Sequence, residues 1–300
     1  MLNTRFGIEI EMTGITRSKA AEVIADTVDG TKHYIGTYYD TYGVTMPDGR
    51  VWKTTSDGSL KTEKKVNGRK ITANKDYSVE VVSPILFYNN DMESLQNIIR
   101  ALRKAGAFVN DTMGIHIHLD GTGHTARSIK NFINIIASKN DLLYDALAIK
   151  SDRQRWCKKM DKHLVSEIKR KRPQTLAEIE SIWYAGAIGE NRTAHYNSTR
   201  YCLCNLHSFF NGHGTIELRG FNSTLHAGEV RSFIALALAL NHQALTQKSA
   251  SSKKPQTENP KFAFRTFLVR IGLNGKEFEN CRKHLTKHLE GNSAWKYGKD

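Results

Sequence analysis

The sequence contains no uninterrupted apolar run of the roughly eighteen residues that a helix needs to cross a bilayer. Its opening stretch, MLNTRFGIEIEM, also lacks the basic start and the apolar segment of a secretory signal. We therefore expect no membrane partner and a cytoplasmic location.

Cysteine is scarce, and no pair has metal-binding spacing. Cys157, Cys202, Cys204 and Cys281 form neither a CxxC motif nor a zinc-finger pattern, which argues against a structural zinc and for reduced thiols. Cys202 and Cys204 share one face of their predicted strand, so a thiol nucleophile is an alternative. Because free cysteine is most often buried, we expect them to be core residues.

The phosphate-binding motif G-x-x-x-x-G-K-[ST] is also absent, so any nucleotide is bound without a P-loop. The stretch GTGHTARS, 121–128, formally fits G-x-G-x-x-A. However, the strand before it alternates polar with apolar residues, whereas the strand that leads into a dinucleotide fold is almost wholly apolar. We expect a plain strand-to-helix turn with Thr125 as the N-cap.

Acidic residues are in the minority, with 30 against 44 basic residues and a net charge of +14. Much of the excess lies in WCKKMDKHLVSEIKRKRP and around Lys253 and Lys254. Such a surface attracts polyanions, although a solvated helix face is the alternative, because no nucleic-acid-binding motif accompanies it. Nucleic acid and other anionic polymers are therefore candidate partners.

The pattern of the 300 residues predicts one α+β domain, 1–300, with a helical insertion at about 125–190 and C-terminal helices at about 261–290. Asp48-Gly49 and Asn67-Gly68 predict two hairpin turns. The other predicted elements are helix 18–28, strand 77–86, a helix capped near Asp91 and ending at 106, strand 113–120, a strand pair 200–210 and 215–221, and the apolar helix 229–245, which is either central core or a subunit contact.

The first predicted strand, RFGIEIEM, places Glu9 and Glu11 on one face and apolar residues on the other. A polar face in contact with water is the ordinary interpretation of one such strand. Later strands repeat the pattern with Glu80, with His116 and His118, and with Glu217 and Arg219.

Carboxylates clustered on one sheet would repel each other unless cations lay among them. Oxygen-rich ligation with an imidazole suits Mg²⁺ or Mn²⁺ better than zinc. These strands therefore predict a divalent-metal site.

The motifs FGIEIEM, SDGSL, YSVEVVSPIL, GIHIHLD, RYCLCNL and TIELRGFNSTL, in that order, resemble the amidoligase family, the relatives of glutamine synthetase and γ-glutamylcysteine synthetase. The resemblance covers about Arg5 to Leu225, with the middle helices unmatched. It implies a curved, mostly antiparallel sheet shaped as a funnel. Nucleotide would enter one end and the carboxylate substrate the other, with divalent cations midway.

The resemblance also implies roles for individual residues. Glu11, Asp57 and Glu80 would bind one cation, and Glu9, His116 and Glu217 would bind a second that contacts the nucleotide. The implied nucleotide contacts are His116, His118, Arg219 and Asn205, and the implied catalytic residues are Arg219, Arg200 and Glu217.

Three of these assignments have alternatives. His118 shares the face of His116 and could be the ligand instead. Asp57 could belong to a plain turn, because Asp-Gly favours turns. Arg219 could simply pair with Glu217 or Glu80.

The implied reaction is ATP-dependent ligation of a carboxylate substrate to an amine donor through an acyl phosphate, with Mg²⁺ or Mn²⁺ as cofactor. The acid or amine could be part of a peptide or an anionic polymer. Two other classes remain open: a metal-dependent hydrolase that uses the H-x-H strand, and a basic nucleic-acid-binding protein whose acidic face is structural.

Overall fold

A computed structural model describes residues 1–187 and 189–295. Its strands are β1 Arg5–Met12, β2 Thr31–Gly36, β3 Thr41–Thr45, β4 Val51–Thr55, β5 Glu63–Val66, β6 Arg69–Thr72, β7 Val79–Val82, β8 Leu86–Phe87, β9 Gly114–Asp120, β10 Cys204–Asn205 and β11 Thr215–Asn222. Its helices are α1 Arg17–Val28, α2 Tyr88–Lys104, α3 Ala126–Leu147, α4 Ser151–Gln154, α5 Lys162–Lys171, α6 Leu176–Trp183, α7 His207–Asn211, α8 Ala227–Thr246, α9 Pro260–Arg270 and α10 Glu279–Thr286.

Nine strands form one open sheet in the order β10-β11-β9-β1-β7-β4-β3-β2, with β8 paired to the end of β1. Every pairing in this sheet is antiparallel. The α+β class and the mostly antiparallel sheet are therefore confirmed. An antiparallel sheet also excludes the parallel barrel in which the H-x-H strand would serve a hydrolase.

The central strand β1 separates two different environments. Its apolar side chains Phe6, Ile8 and Ile10 are each at most 2% exposed and belong to the core, which helices α1, α2, α3 and α8 also build. Side chains alternate along a strand, so Glu9 and Glu11 project from the opposite face. The sheet therefore keeps its hydrophobic and its acidic face strictly apart.

Helix α8 packs against α2, α3 and α10, and its apolar side chains from Ile234 to Leu240 are almost completely buried. The apolar helix of the sequence is thus central core. Within the described ranges, no helix has both the length and the apolarity needed to cross a bilayer.

Local turn chemistry follows the sequence closely. Asn67 and Gly68 adopt φ values of 50° and 77° in the β5–β6 hairpin, as a tight two-residue turn requires. Thr125 caps α3, where its hydroxyl accepts from the Ser128 amide and the Ser128 hydroxyl accepts from the Thr125 amide. The glycine-rich stretch before α3 is therefore the plain turn that we expected.

The structure corrects the start of one predicted helix and the length of one predicted strand. Helix α2 begins at Tyr88, because Asp91 lies within its first turn and accepts from the Phe87 amide at 2.8 Å. Strand 200–210 shortens to β10, because the Asn205 side chain accepts from the amide of His207 at 2.8 Å and starts α7. The described residues of the insertion contain four helices, α3 to α6.

Candidate metal and substrate site

Neighbouring strands bring the predicted ionisable residues together on one face of the sheet. In the strand register, Glu9 lies opposite His116, Glu11 opposite Glu80, and Glu217 opposite His118. Because cross-strand neighbours on one face are about 5 Å apart, the antiparallel register alone builds a continuous acidic row.

Two imidazoles lie within this row. Glu9 contacts both: one carboxylate oxygen is 3.0 Å from His116 Nδ1 and the other is 3.2 Å from His118 Nε2. His118 Nε2 also lies 4.0 Å from Glu217 Oε1, while its Nδ1 is 3.1 Å from the Thr215 hydroxyl. Glu9 is thus the central carboxylate of the site.

Three overlapping groups in the row have ligand atoms within 4.8 Å of one another. They are Glu11–Asp57–Glu80, Glu9–Glu80–His116 and Glu9–His118–Glu217. The first is the set that the resemblance implied, so Asp57 lies at the cluster. Both histidines lie near the implied second set, since His116 Nδ1 is 3.7 Å and His118 Nε2 is 4.0 Å from Glu217 Oε1. The ligand groups join His118 to Glu9 and Glu217, and His116 to Glu9 and Glu80.

Burial and mutual repulsion act on the carboxylates at one end of the row. Burial, together with the neighbouring Asp57, raises the pKa of Glu11 to about 7. Burial and the charge of Glu9 raise the pKa of Glu80 well above its ordinary value. These two groups bind either a proton or a cation, because two ionised carboxylates next to each other in a buried site raise the free energy of the folded state.

The other end of the row is balanced by positive charge. Burial opposes ionisation of Glu217, but Arg219 and the histidines lower its pKa to about 2. Burial likewise disfavours the charged form of His118, yet Glu9 and Glu217 raise its pKa to about 9. In the metal-free protein His118 is therefore protonated, and a cation would replace that proton.

The donor set fits a divalent cation. His118 Nε2 is buried and has no hydrogen-bond partner, although two carboxylates face it. An orphaned imidazole nitrogen between carboxylate oxygens is the environment of a metal ligand. The excess of oxygen donors favours Mg²⁺ or Mn²⁺.

A further group with ligand spacing lies away from the sheet and consists of His226, Glu229 and His284. Its carboxylate is already engaged, since Lys287 pairs with one oxygen and the Thr224 hydroxyl donates to the other at 2.8 Å. This group therefore competes poorly for a cation.

Arg219 and Asn205 contact Glu217, and Arg200 lines the cavity beside Arg219. Arg219 forms an ion pair with Glu217 and donates to the Trp156 carbonyl at 3.3 Å. Asn205 donates to the second oxygen of Glu217 at 2.5 Å. Arg200 donates to the His195 carbonyl at 2.8 Å, but its buried Nε has no partner, so it is available to an anionic ligand.

Arg153 is a site residue that our sequence reasoning missed. It is 2% exposed and donates to the carbonyls of Phe221 at 2.5 Å and Arg219 at 2.8 Å, on either side of a β11 bulge. A side chain at Gly114 would clash with it, because a Cβ there would lie 2.1 Å from the guanidinium. No local signal marks Arg153, since it lies in an ordinary polar helical stretch.

The two thiols near Arg219 are not activated. Cys204 is buried and Cys202 is half-buried. Burial raises the pKa of Cys202 to about 12 and that of Cys204 well above its usual range. Neither thiol is ionised near neutral pH, as expected of core residues.

Two cavities open on opposite ends of the acidic row. The larger, about 480 Å³, has Glu9 and His118 in its wall and an apolar border that includes Val82, Pro84 and Ile85; we call it the His118 cavity. The smaller, about 240 Å³, is the Arg200 cavity. It is lined by Glu11, Asp57, Gly58, Ser59, Thr112, His116, Arg153, Trp156, Tyr196, Arg200, Tyr201 and Arg219.

The family model described as "putative amidoligase enzyme" matches residues 2–241. The chain therefore belongs to this family, and the class of protein is an enzyme that forms amide bonds. No curated protein matches the chain.

Proposed function

We propose that the protein joins a carboxylate to an amine at the expense of ATP, through an acyl phosphate and with Mg²⁺ in the acidic row. The observation that carries this proposal is the position of the row between two cavities of different character. A ligase of this kind must bring a nucleotide and an acid to opposite sides of the same cations.

The His118 cavity suits the nucleotide. It is the larger of the two, and its apolar border of Val82, Pro84 and Ile85 offers contacts to a base and a sugar. Glu9 and His118 at its inner end lie where the phosphates would meet the cation ligands. When bound, Mg²⁺ would neutralise phosphate charge and hold the terminal phosphoryl in line with the acid.

The Arg200 cavity suits the acid. Arg200 and Arg219 present guanidinium groups there, and such groups bind a carboxylate or a transferring phosphoryl by charge-assisted hydrogen bonds. Asn205 donates to Glu217, and Glu217 pairs with Arg219, so the position of Arg219 does not depend on the ligand. Asp57 and Glu11 in the same cavity would attract a cationic amine.

Hydroxylamine trapping tests this proposal directly. The protein is incubated with ATP, Mg²⁺, hydroxylamine and a panel of carboxylic acids, because hydroxylamine converts an acyl phosphate into a stable hydroxamate. We expect hydroxamate and ADP in equal amounts from the wild type and neither from Glu217→Gln. ADP release without an acid, or hydroxamate formation without ATP, would contradict the mechanism.

A further inference from the structure

The Arg200 cavity adjoins a groove of about 420 Å³ on the protein surface. Ser59, Thr112 and Trp156 line both spaces, and Ser151, Asp152 and Arg155 complete the groove. A substrate that reaches the acidic row from this side therefore has a continuous surface on which its remaining part can lie. The space favours a ligand larger than a free amino acid.

Aromatic rings and guanidinium groups alternate along this surface. The Arg155 guanidinium lies 4.8 Å from the Trp156 ring centroid. That of Arg200 lies 5.5 Å from Tyr196 and 5.8 Å from Tyr201. Tyr196 is 63% exposed, so part of its ring is accessible to a ligand. Planar faces beside cations are the elements that bind stacked bases and their phosphates.

A strongly basic hairpin begins at the wall of the same cavity. Lys61 is fixed there, because its amide donates to the Thr112 hydroxyl at 3.2 Å and its carbonyl accepts from Asn110 at 2.8 Å. Residues 61–75, which form the β5–β6 hairpin, contain six basic residues and one acidic residue. The chain thus carries this basic segment away from the groove, starting at Lys61.

We propose that the molecule ligated in this site is carried on a single-stranded nucleic acid, which binds to the aromatic and basic surface formed by the groove and the hairpin. This inference rests on the proposed ligase function and adds its substrate class. Phosphates would contact the hairpin and Arg155, and one base would stack on Trp156. A duplex keeps its bases inside and could not use the aromatic faces.

The chemistry stays that of the ligase. The terminal phosphoryl of ATP passes to a carboxylate, and the amine displaces phosphate from the acyl phosphate and loses one proton. One of the two partners, the acid or the amine, is a substituent of a nucleotide that extends past Trp156 into the Arg200 cavity. ADP, phosphate and an amide-modified strand are the products.

The experiment measures fluorescence anisotropy of a labelled oligothymidylate with the full chain, without ATP, over a range of salt concentrations. We expect binding that weakens steeply with salt. Lys61→Gln/Arg69→Gln removes two exposed charges from the basic segment, so it should reduce the slope of log affinity against log salt by about 1.4. Trp156→Leu should weaken binding about tenfold while the salt slope stays unchanged.

The matched control is Lys162→Gln/Lys169→Gln, which removes two exposed lysines from α5 and should leave binding unchanged. Equal weakening by the control would overturn the inference, as would no binding at low salt. Tighter binding of duplex DNA, or of polyglutamate of equal charge, would also overturn it. Because the assay omits ATP, its failure beside normal hydroxamate formation would leave the ligase proposal standing.

Discussion

The His118 cavity and the Arg200 cavity share one row of carboxylates, yet their walls differ in nearly every other respect. The first is wide, with an apolar border, and its lining includes the partly exposed Arg5–Asp120 ion pair. The second is narrow and contains Arg153, Arg200 and Arg219. The strands supply the shared row through their alternation, whereas loops and the helical insertion supply the difference. The sheet therefore sets the chemistry, and the connections set which ligand enters at each end.

The largest expected effect comes from Glu9, the central carboxylate of the row. Glu9→Gln removes a ligand charge from two of the overlapping groups, so we expect ATP turnover to fall about a thousandfold, or about 4 kcal/mol. Coupled assay of ADP release measures this. Glu93→Gln changes an exposed carboxylate on α2 and is the control. Retained turnover in Glu9→Gln with an unaltered thermal unfolding midpoint would remove the row from catalysis.

The next largest effect tests whether Arg153 stabilises the β11 bulge beside the Arg200 cavity. Arg153→Met leaves two buried carbonyls of the β11 bulge without donors, so the free energy of unfolding should fall by about 3 kcal/mol. Urea denaturation measures this, with Arg155→Met as the exposed control, for which we expect less than about 0.5 kcal/mol. Equal losses in both variants would show that Arg153 does not fix the bulge.

The strand residues and Arg153 differ in how far the sequence could predict them. The strands containing Glu9, Glu80, His116 and Glu217 were predictable, because period-two alternation fixes which residues share a face. Arg153 was not, because its partners on β11 are more than 60 residues away and only the folded chain brings them together. The separate grouping of His118 and His116 depends on side-chain rotamers, which alternation does not determine.

The short helix α7 was missed for a related reason. Its sequence is typical of a continuing strand. However, the Asn205 side chain accepts from the amides of His207 and Ser208, which ends the strand pairing there. The same residue also donates to Glu217. One side chain thus ends a strand and orients the site, which no pattern of polarity indicates.

A smaller expected effect is the pH dependence of stability that the raised pKa of Glu11 produces. The folded metal-free protein holds the proton of Glu11 more tightly than the unfolded chain, because its pKa is about 7 against 4.5. Its contribution to the free energy of unfolding is therefore complete below pH 4.5 and lost as the pH rises through 7.

Glutamine cannot ionise, so metal-free Glu11→Gln should exceed the wild type in stability at about pH 8 by on the order of 2 kcal/mol and match it near pH 4.5. Mg²⁺ should stabilise the wild type at the higher pH and have little effect on the variant. Thermal unfolding with and without Mg²⁺ measures both. A pH-independent difference between the two proteins would contradict the assignment.

The smallest expected effect tests whether the His118 cavity is the one that binds ATP. Ile85 is 56% exposed at the border of the His118 cavity, so its truncation removes only part of a contact surface. Ile85→Ala should raise the KM for ATP about fivefold, or about 1 kcal/mol, with the KM for the acid unchanged. Steady-state kinetics with each substrate varied in turn would show this, and a change confined to the acid would reverse the two ends.

Anomalous diffraction from crystals grown with Mn²⁺ tests the central claim most directly. We expect strong peaks on the acidic face of the sheet, one among Glu11, Asp57 and Glu80 and one among Glu9, His118 and Glu217. Peaks found only at His226, Glu229 and His284, or no peak within the row, would contradict it.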